Sequence, residues 1–384
     1  MRLLFTFAGG SGHLEPLVPI ARTAEAAGHT VAFVGRPWMV PQVEALGFPA
    51  FAAGSNAGLT PQRLPLAPID LNRDMQAVGD HFVRRIGRER AAAILPLCSR
   101  WQPDLLVCEE FDFGAMVTAE ALALPHATVL IGATGTFVRA DVVAEPLNEV
   151  RTEHGLPPDP GLEMLSRQLV LSPFPPSLRD PVHPLPAGAQ AFRLFSRDPQ
   201  DGGEFAGRGA GPTVYFTLGT IYNVESGDLF DRVIAGLRDL PIDLVVTVGR
   251  DIDPRELGPQ PANVRVERFV PHSELLPTCR LVISHGGSGS VLGALAHGLP
   301  MVLLPLGADQ PLNAARCAAL GVAVVLDALT VTSQSVGEAV TRVLEQPSYR
   351  RNATRVRDEI AALPGPEHAV ALLEQLARPK SLTA

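Results

Sequence analysis

Short apolar runs rich in Val, Leu, Ile and Phe alternate along the whole chain with Ala/Leu/Arg stretches of helical length. A run that is apolar at successive positions must bury both of its faces, and parallel strands covered on each side by helices do so. The first half supplies such runs from Leu3 to Phe7, Val31 to Gly35, Leu105 to Cys108 and Thr128 to Ile131. The second half supplies Thr213 to Thr217, Leu244 to Val248, Val264 to Glu267, Leu281 to Ser284 and Met301 to Pro305. Each half reads as its own α/β unit, and 384 residues exceed what one ordinary core organises. The boundary falls in SRDPQDGGEFAGRGAGP, where Gly, Asp and Pro displace the apolar periodicity. The expected division is 1–195, a linker at 196–212, a second domain at 213–364, and a last helix over 365–384 that could pack on either domain.

Two Pro-rich stretches, Ser55 to Leu71 and Pro157 to Pro186, interrupt the first half and read as binding loops or surface excursions. TFAGGSGHLEPL near the start and ISHGGSGSVLGAL in the second half share a strand, Gly-Gly-Ser-Gly, helix order, an internal echo that suggests two similarly wound halves.

With 46% apolar and 19% charged residues the chain has ample material for buried cores, and it reads as a soluble globular protein. A net charge of -8 opposes binding to many nucleic-acid phosphates, so an anionic ligand needs locally arranged donors. MRLLFTFAGG is too short for a signal-peptide core, and no apolar window has membrane-spanning length, which points to the cytoplasm. Cys98, Cys108, Cys279 and Cys317 are widely spaced without metal-ligand pairing and read as buried thiols.

SHGGSGS, Ser284 to Ser290, follows an apolar strand and opens a helical run. Its glycines let backbone N–H groups approach an anion, the helix dipole favours negative charge, and His285 could donate to a phosphate oxygen. A bare strand-to-helix turn is the competing reading. Asp309 and Gln310 lie just past another buried strand, where open α/β sheets bind ligands; a carboxylate beside an amide suits sugar hydroxyls, although Asp-Gln also serves as a helix cap.

The opening loop FAGGSGHLEP offers Gly10 and Gly12 for a dinucleotide fingerprint, but Glu15 occupies the third glycine position and Arg36 follows the next strand. Instead it presents His13 at a helix start, with Pro16 placed for the first turn, where the dipole favours a neutral imidazole able to act as a general base. Its partner is sought in Glu109, Glu110 and Asp112, carboxylates clustered after the strand at Leu105, where acidic residues also simply cap helices.

Together, GGSGHLEPLVPIARTAEAAGH and FVPHSELLPTCRLVISHGGSGSVLGALAHGLPMVLLPLGADQPLNA resemble the nucleotide-sugar-dependent inverting glycosyltransferases of the GT-B fold, above all the bacterial enzymes that glycosylate antibiotics and other natural products. The resemblance implies two Rossmann-like doubly wound parallel-sheet domains facing across a cleft. It places the general base on His13 and its acidic partner on Glu109, with Asp112 as competitor. The base-stacking aromatic falls on Phe269, a backbone contact to the pyrimidine on Val270, and a hydroxyl near the phosphates on Thr220. His285, Gly287, Gly289 and Ser290 form the diphosphate loop, and Asp309 with Gln310 the sugar-hydroxyl pair. Gly293 stands where some relatives carry a ribose-binding Glu.

The implied reaction is direct displacement at the anomeric carbon, with the nucleoside diphosphate leaving into the His285 loop and Gly10, Ser11 and Gly12 letting an acceptor approach His13. No metal is expected; Asp251 and Asp253 in DID read as a solvated turn before Pro254. The run RRIGRER, Arg84 to Arg90, reads as a solvated helix face or a guide for an anionic acceptor. Expected partners are a dTDP- or UDP-linked sugar, serving as co-substrate with no cofactor, and a hydrophobic acceptor such as a polyketide. A monomer or homodimer is expected. The alternatives are a nucleotide-sugar epimerase of the same fold, a silent nucleotide-sugar binder that assists another enzyme, and an NAD-dependent enzyme.

Overall fold

The computed structural model describes residues 1–56, 63–194, 211–220 and 222–378. The first sheet contains β1 (Arg2–Thr6), β2 (Thr30–Gly35), β3 (Ala50–Ala52), β4 (Leu105–Glu109), β5 (His126–Val129), β6 (Leu169–Ser172) and β7 (Gln190–Ala191). The second contains β8 (Thr213–Thr217), β9 (Asp243–Thr247), β10 (Val264–Glu267), β11 (Cys279–Ser284), β12 (Met301–Leu303) and β13 (Ala323–Val325). Every pairing is parallel, in the orders β3-β2-β1-β4-β5-β6-β7 and β10-β9-β8-β11-β12-β13. All nine expected runs fall on strands, with Thr128 to Ile131 displaced by two residues from β5. The expectation missed β3, β6, β7 and β13.

Both sheets wind outward from a central pair, β1 with β4 and β8 with β11, so the order reverses between those strands. Parallel sheets of this kind bind ligands beyond the carboxyl ends of the strands at that reversal. The central strands are sealed: Leu3, Leu4, Phe5, Leu105, Leu106 and Val107 are inaccessible to solvent, as are Phe216, Leu281 and Ile283 in the second sheet. Each such side chain contributes roughly 1.5–3 kcal/mol of transfer free energy, which chain entropy opposes.

The described residues form two compact units, one from 1–56, 72–194 and 363–378 and the other from 63–71 and 211–362 apart from Ile221. The expected contiguous 1–195 does not hold, because residues 63–71 belong to the second unit. The Leu64 amide donates to the Val224 carbonyl at 2.9 Å and Leu66 packs on the second unit's core, so the Pro-rich stretch crosses over. The last helix, Pro366–Ala377, returns to the first unit, where Ala369, Val370 and Leu373 join the core of Leu14, Leu17 and Ile20. Most of the expected linker, 196–210, lies outside the described residues.

Topology corrects the internal echo. GGSG of the first loop follows β1, whose counterpart is β8, whereas HGGSG follows β11, whose counterpart is β4. The halves are similarly wound, but the two glycine runs occupy different positions in them. The expected solvated face at Arg84 to Arg90 holds for Arg84, Arg85 and Arg88, which stay partly exposed, and is corrected at Arg90. Arg84 pairs with Asp80 and Glu149, Arg88 with Glu149 and Glu153, and Arg90 is fully buried on Asp112. All four cysteines are buried free thiols. No helix among the described residues is long and apolar enough to cross a membrane.

Candidate active site

In the first unit the reversal point brings together the loops after β1 and β4. His13 sits in a single helical turn, Ser11–Leu14, and its Nδ1 lies 3.0 Å from Oε1 of Glu109, the last residue of β4. The same oxygen accepts the Ala8 amide at 2.9 Å, and Oε2 accepts the Phe111 amide at 2.7 Å. Both oxygens of this fully buried side chain already accept backbone N–H groups, and a carboxylate oxygen only accepts, so Nδ1 of His13 is the donor in their contact. That tautomer leaves the lone pair on Nε2, and a carboxylate held at Nδ1 is placed to stabilise an imidazolium should Nε2 take up a proton.

This replaces the dipole argument for His13. The turn is too short for a substantial dipole, and Pro16 lies in the turn between it and the helix Val18–Ala26, outside either first turn. Gly9 makes the placement possible, because a methyl there would sit 2.2 Å from Cδ2 of the ring. Phe82 stacks on His13 with centroids 5.9 Å apart, and Phe111 meets it edge-on at 5.8 Å. Gly9, Phe82 and Phe111 carried no sequence signal that distinguished them.

Asp112 has a different duty from the one allowed for it. It caps the helix Phe113–Ala121 through the Ala115 amide and holds the Arg90 guanidinium, with Nε 2.8 Å from Oδ1. Both partners are fully buried, so Asp112 is committed to this pair while Glu109 faces His13. Glu110 accepts the Ile131 and Gly132 amides and joins the β4 and β5 loops; burial raises its carboxyl above the ordinary range. Ser11 is bound to Gln42, Gly10 lies against Trp38, and Gly12 is exposed with open space around it.

In the second unit the reversal point joins the loops after β8 and β11. Gly219, with φ of +77°, turns the chain so closely on His285 that a methyl would lie 2.6 Å from Cε1. A methyl on Gly287 would lie 2.6 Å from Nε2, so the imidazole occupies a slot that two glycines leave. Burial pushes His285 down to about 4, and its buried Nδ1 has no hydrogen-bond partner among the described residues. The ring is therefore neutral near pH 7, with one N–H to offer a ligand and no charge of its own.

Gly287 precedes the helix Ser288–Ala296, whose first turn contains Gly289 and Ser290. Asp309 Oδ2 accepts from the Ser288 hydroxyl at 2.6 Å and from Asn313 at 2.8 Å, and Asn313 also donates to the Gly286 carbonyl. Gln310 Oε1 accepts the Leu306 and Gly307 amides. The Asp309 side chain thus fastens one loop to another without capping its own helix, Gln310–Ala319. Asn313, buried at the centre of this net, was missed; its spacing of four from Asp309 on one helix face was the available signal.

Thr220 is exposed after β8, Phe269 is 73% exposed after β10, and Val270 beside it is buried. They share the carboxyl edge with His285, but no hydrogen bond among the described residues ties them to it. Asp253 caps the turn Pro254–Leu257 and pairs with Arg255, in keeping with a turn at DID. Among the described residues no group of three His, Cys, Asp or Glu could hold a metal ion.

Residues 231–376 match the family described as erythromycin biosynthesis protein CIII-like, C-terminal domain. Tylactone mycaminosyltransferase of Streptomyces fradiae is 30% identical across 98% of this chain and 92% of its own. The solved spinosyn forosaminyltransferase SpnP is 28% identical, with a TM-score of 0.77, and the alignment covers 98% of this chain and 99% of that one. The glycosyltransferase SsfS6 of Streptomyces sp. SF2575, solved with thymidine diphosphate, is 26% identical with a TM-score of 0.77 and coverage of 98% and 99%. These likenesses run through both units, and with the parallel sheets described above they establish what the chain is: it belongs to the GT-B-fold, nucleotide-sugar-dependent glycosyltransferases of natural-product biosynthesis.

Proposed function

We propose that the chain transfers a deoxysugar from a dTDP-linked donor to a hydroxyl of an apolar natural product such as a polyketide, with inversion at the anomeric carbon. The observation that carries this reading is the His13–Glu109 pair, a tautomer-fixed imidazole at the carboxyl edge of a parallel sheet. Nε2 of His13 takes the proton of the acceptor hydroxyl, and the oxygen forms its bond to the anomeric carbon. The bond from that carbon to the diphosphate breaks on the opposite face, and dTDP leaves with the electron pair. The imidazolium is held by the Glu109 carboxylate, and Gly10, Ser11 and Gly12 border the acceptor's approach.

On the donor side, His285 and the N–H groups opening the helix Ser288–Ala296 receive the diphosphate. Gly287, Gly289 and Ser290 line that loop, and Thr220 adds a hydroxyl. Asp309 and Gln310 bind sugar hydroxyls. Phe269 stacks on the pyrimidine, whose edge meets the Val270 backbone. Thymidine diphosphate in SsfS6 supports a dTDP donor, and the mycaminosyl and 2-deoxy-L-fucose transferases among the relatives support the sugar class. No cofactor or metal takes part in this scheme.

The test is to mix dTDP-deoxysugars of known anomeric configuration with apolar polyketide acceptors and to read the product's anomeric coupling by NMR. Inverted product from the wild type and none from His13→Ala is the expected result. Retained configuration, or full transfer by His13→Ala, overturns it.

A further inference from the structure

The segment that carries Phe82 departs from ordinary helix geometry. Val78–Gly87 is π-helical over ten residues, between the α-helices Leu71–Ala77 and Arg88–Trp101. Such windings are rare and weaker than α-helix, and they persist where neighbouring structure holds them. Here the neighbours do. A methyl on Gly79 would meet the Val142 carbonyl at 2.8 Å, and one on Gly114 would meet the Gly87 carbonyl at 2.4 Å. Both ends of the segment are therefore pressed against other helices. Arg84 is bound to Glu149, and Arg90, just past the segment, is bound to Asp112.

The consequence is a fixed aromatic face. Phe82 lies almost parallel to the His13 ring at 15°, and it meets Phe111 edge-on at 5.3 Å, while Phe111 in turn reaches His13 and gives its amide to Glu109. The His13 side chain retains only 18% of its exposure. We propose that Phe82, set by the π-helical winding, is a positioning residue that shields the His13 imidazole from bulk water, so that the activated nucleophile is the acceptor hydroxyl and not water. This rests on the transferase reading above. Water activated at Nε2 would attack the same anomeric carbon, giving free sugar and dTDP in place of glycoside.

The experiment compares wild type, Phe82→Ala and Phe82→Leu, the last keeping an apolar cover of smaller area if the alanine variant folds poorly. The first readout is the partition of a dTDP-sugar between glycoside and free sugar with an apolar acceptor present, followed by chromatography. The second needs no turnover: the rate at which diethyl pyrocarbonate carbethoxylates His13, mapped by peptide mass spectrometry. Phe82→Ala should raise the hydrolysed fraction at least fivefold and speed His13 modification by a similar factor, with dTDP affinity unchanged and Phe82→Leu between. Folded variants with wild-type partition and wild-type His13 reactivity overturn the proposal. A wild type that never glycosylates an acceptor, while Phe82→Ala still unmasks His13, counts against the transferase reading and leaves the shield standing.

Discussion

Glu109→Gln is the sharpest probe of the first unit, because the side chain changes by one atom while three donors converge on it. Oε1 takes the Ala8 amide and His13, and Oε2 takes the Phe111 amide. A glutamine has one carbonyl oxygen to offer. If that oxygen faces His13, the amide group opposes the Phe111 N–H; if it faces Phe111, the amide opposes Ala8 and forces His13 to protonate Nε2 instead. Either way a buried donor loses its acceptor, at a cost of about 1–3 kcal/mol of stability. In the first arrangement the tautomer survives but the charge opposite the imidazolium is lost, and the difference between a charged and a neutral acceptor, about 1–2 kcal/mol, slows transfer by roughly 5- to 30-fold. In the second the base is lost, and the deficit approaches the ~10²–10⁴ of general-base catalysis. The assay is kcat/KM for glycoside formation beside calorimetric dTDP affinity. A fall of at least about fivefold with unchanged affinity is expected; kcat/KM within about twofold of wild type in a folded variant would refute the reasoning.

Three further outcomes follow from the same geometry. Asp112→Ala strands the buried Arg90 charge and removes a helix cap, so it should cost about 3–5 kcal/mol and lower the thermal midpoint by roughly 6–20 °C, read by calorimetry. Phe269→Ala should leave the thermal midpoint nearly unchanged, since the ring is 73% exposed, yet weaken dTDP binding by about 1–3 kcal/mol if the base stacks there. For His285, burial holds the folded value at about 4, below the ~6.5 of an exposed ring. Between those values the unfolded chain binds the proton and the folded chain does not, so the neutral ring's contribution is complete above ~6.5 and is withdrawn as pH falls toward 4, by at most ~2 kcal/mol at pH 5. The thermal midpoint of His285→Gln should therefore fall less than that of wild type between pH 7.5 and 5.

The sequence was most legible where burial dictates composition. The central strands must be apolar on both faces, and β1, β4, β8 and β11 announce themselves for that reason. Strands β3, β7 and β13 are short outer strands, and β6 lies in a Pro-rich stretch whose packing is set by neighbours distant in sequence. Within the site, Glu109 was legible because it ends a legible strand, and His13 because it sits in the glycine loop that follows one. What distinguishes Glu109 from Asp112 was not legible, since it depends on Arg90 arriving from another helix. The neutral state of His285 depends on burial between Gly219 and Gly287, two loops 68 residues apart by number, and no local pattern encodes it. The π-helical winding that brings Phe82 to His13 follows from glycine contacts made only in the folded unit.

The proposed division of labour puts the base in the first unit and the diphosphate site in the second. Calorimetric titration of dTDP into wild type, His13→Ala and His285→Ala tests it most directly. Equal affinity is expected for wild type and His13→Ala, and affinity at least about tenfold weaker for His285→Ala. Loss of dTDP binding on His13→Ala with His285→Ala unaffected would contradict it.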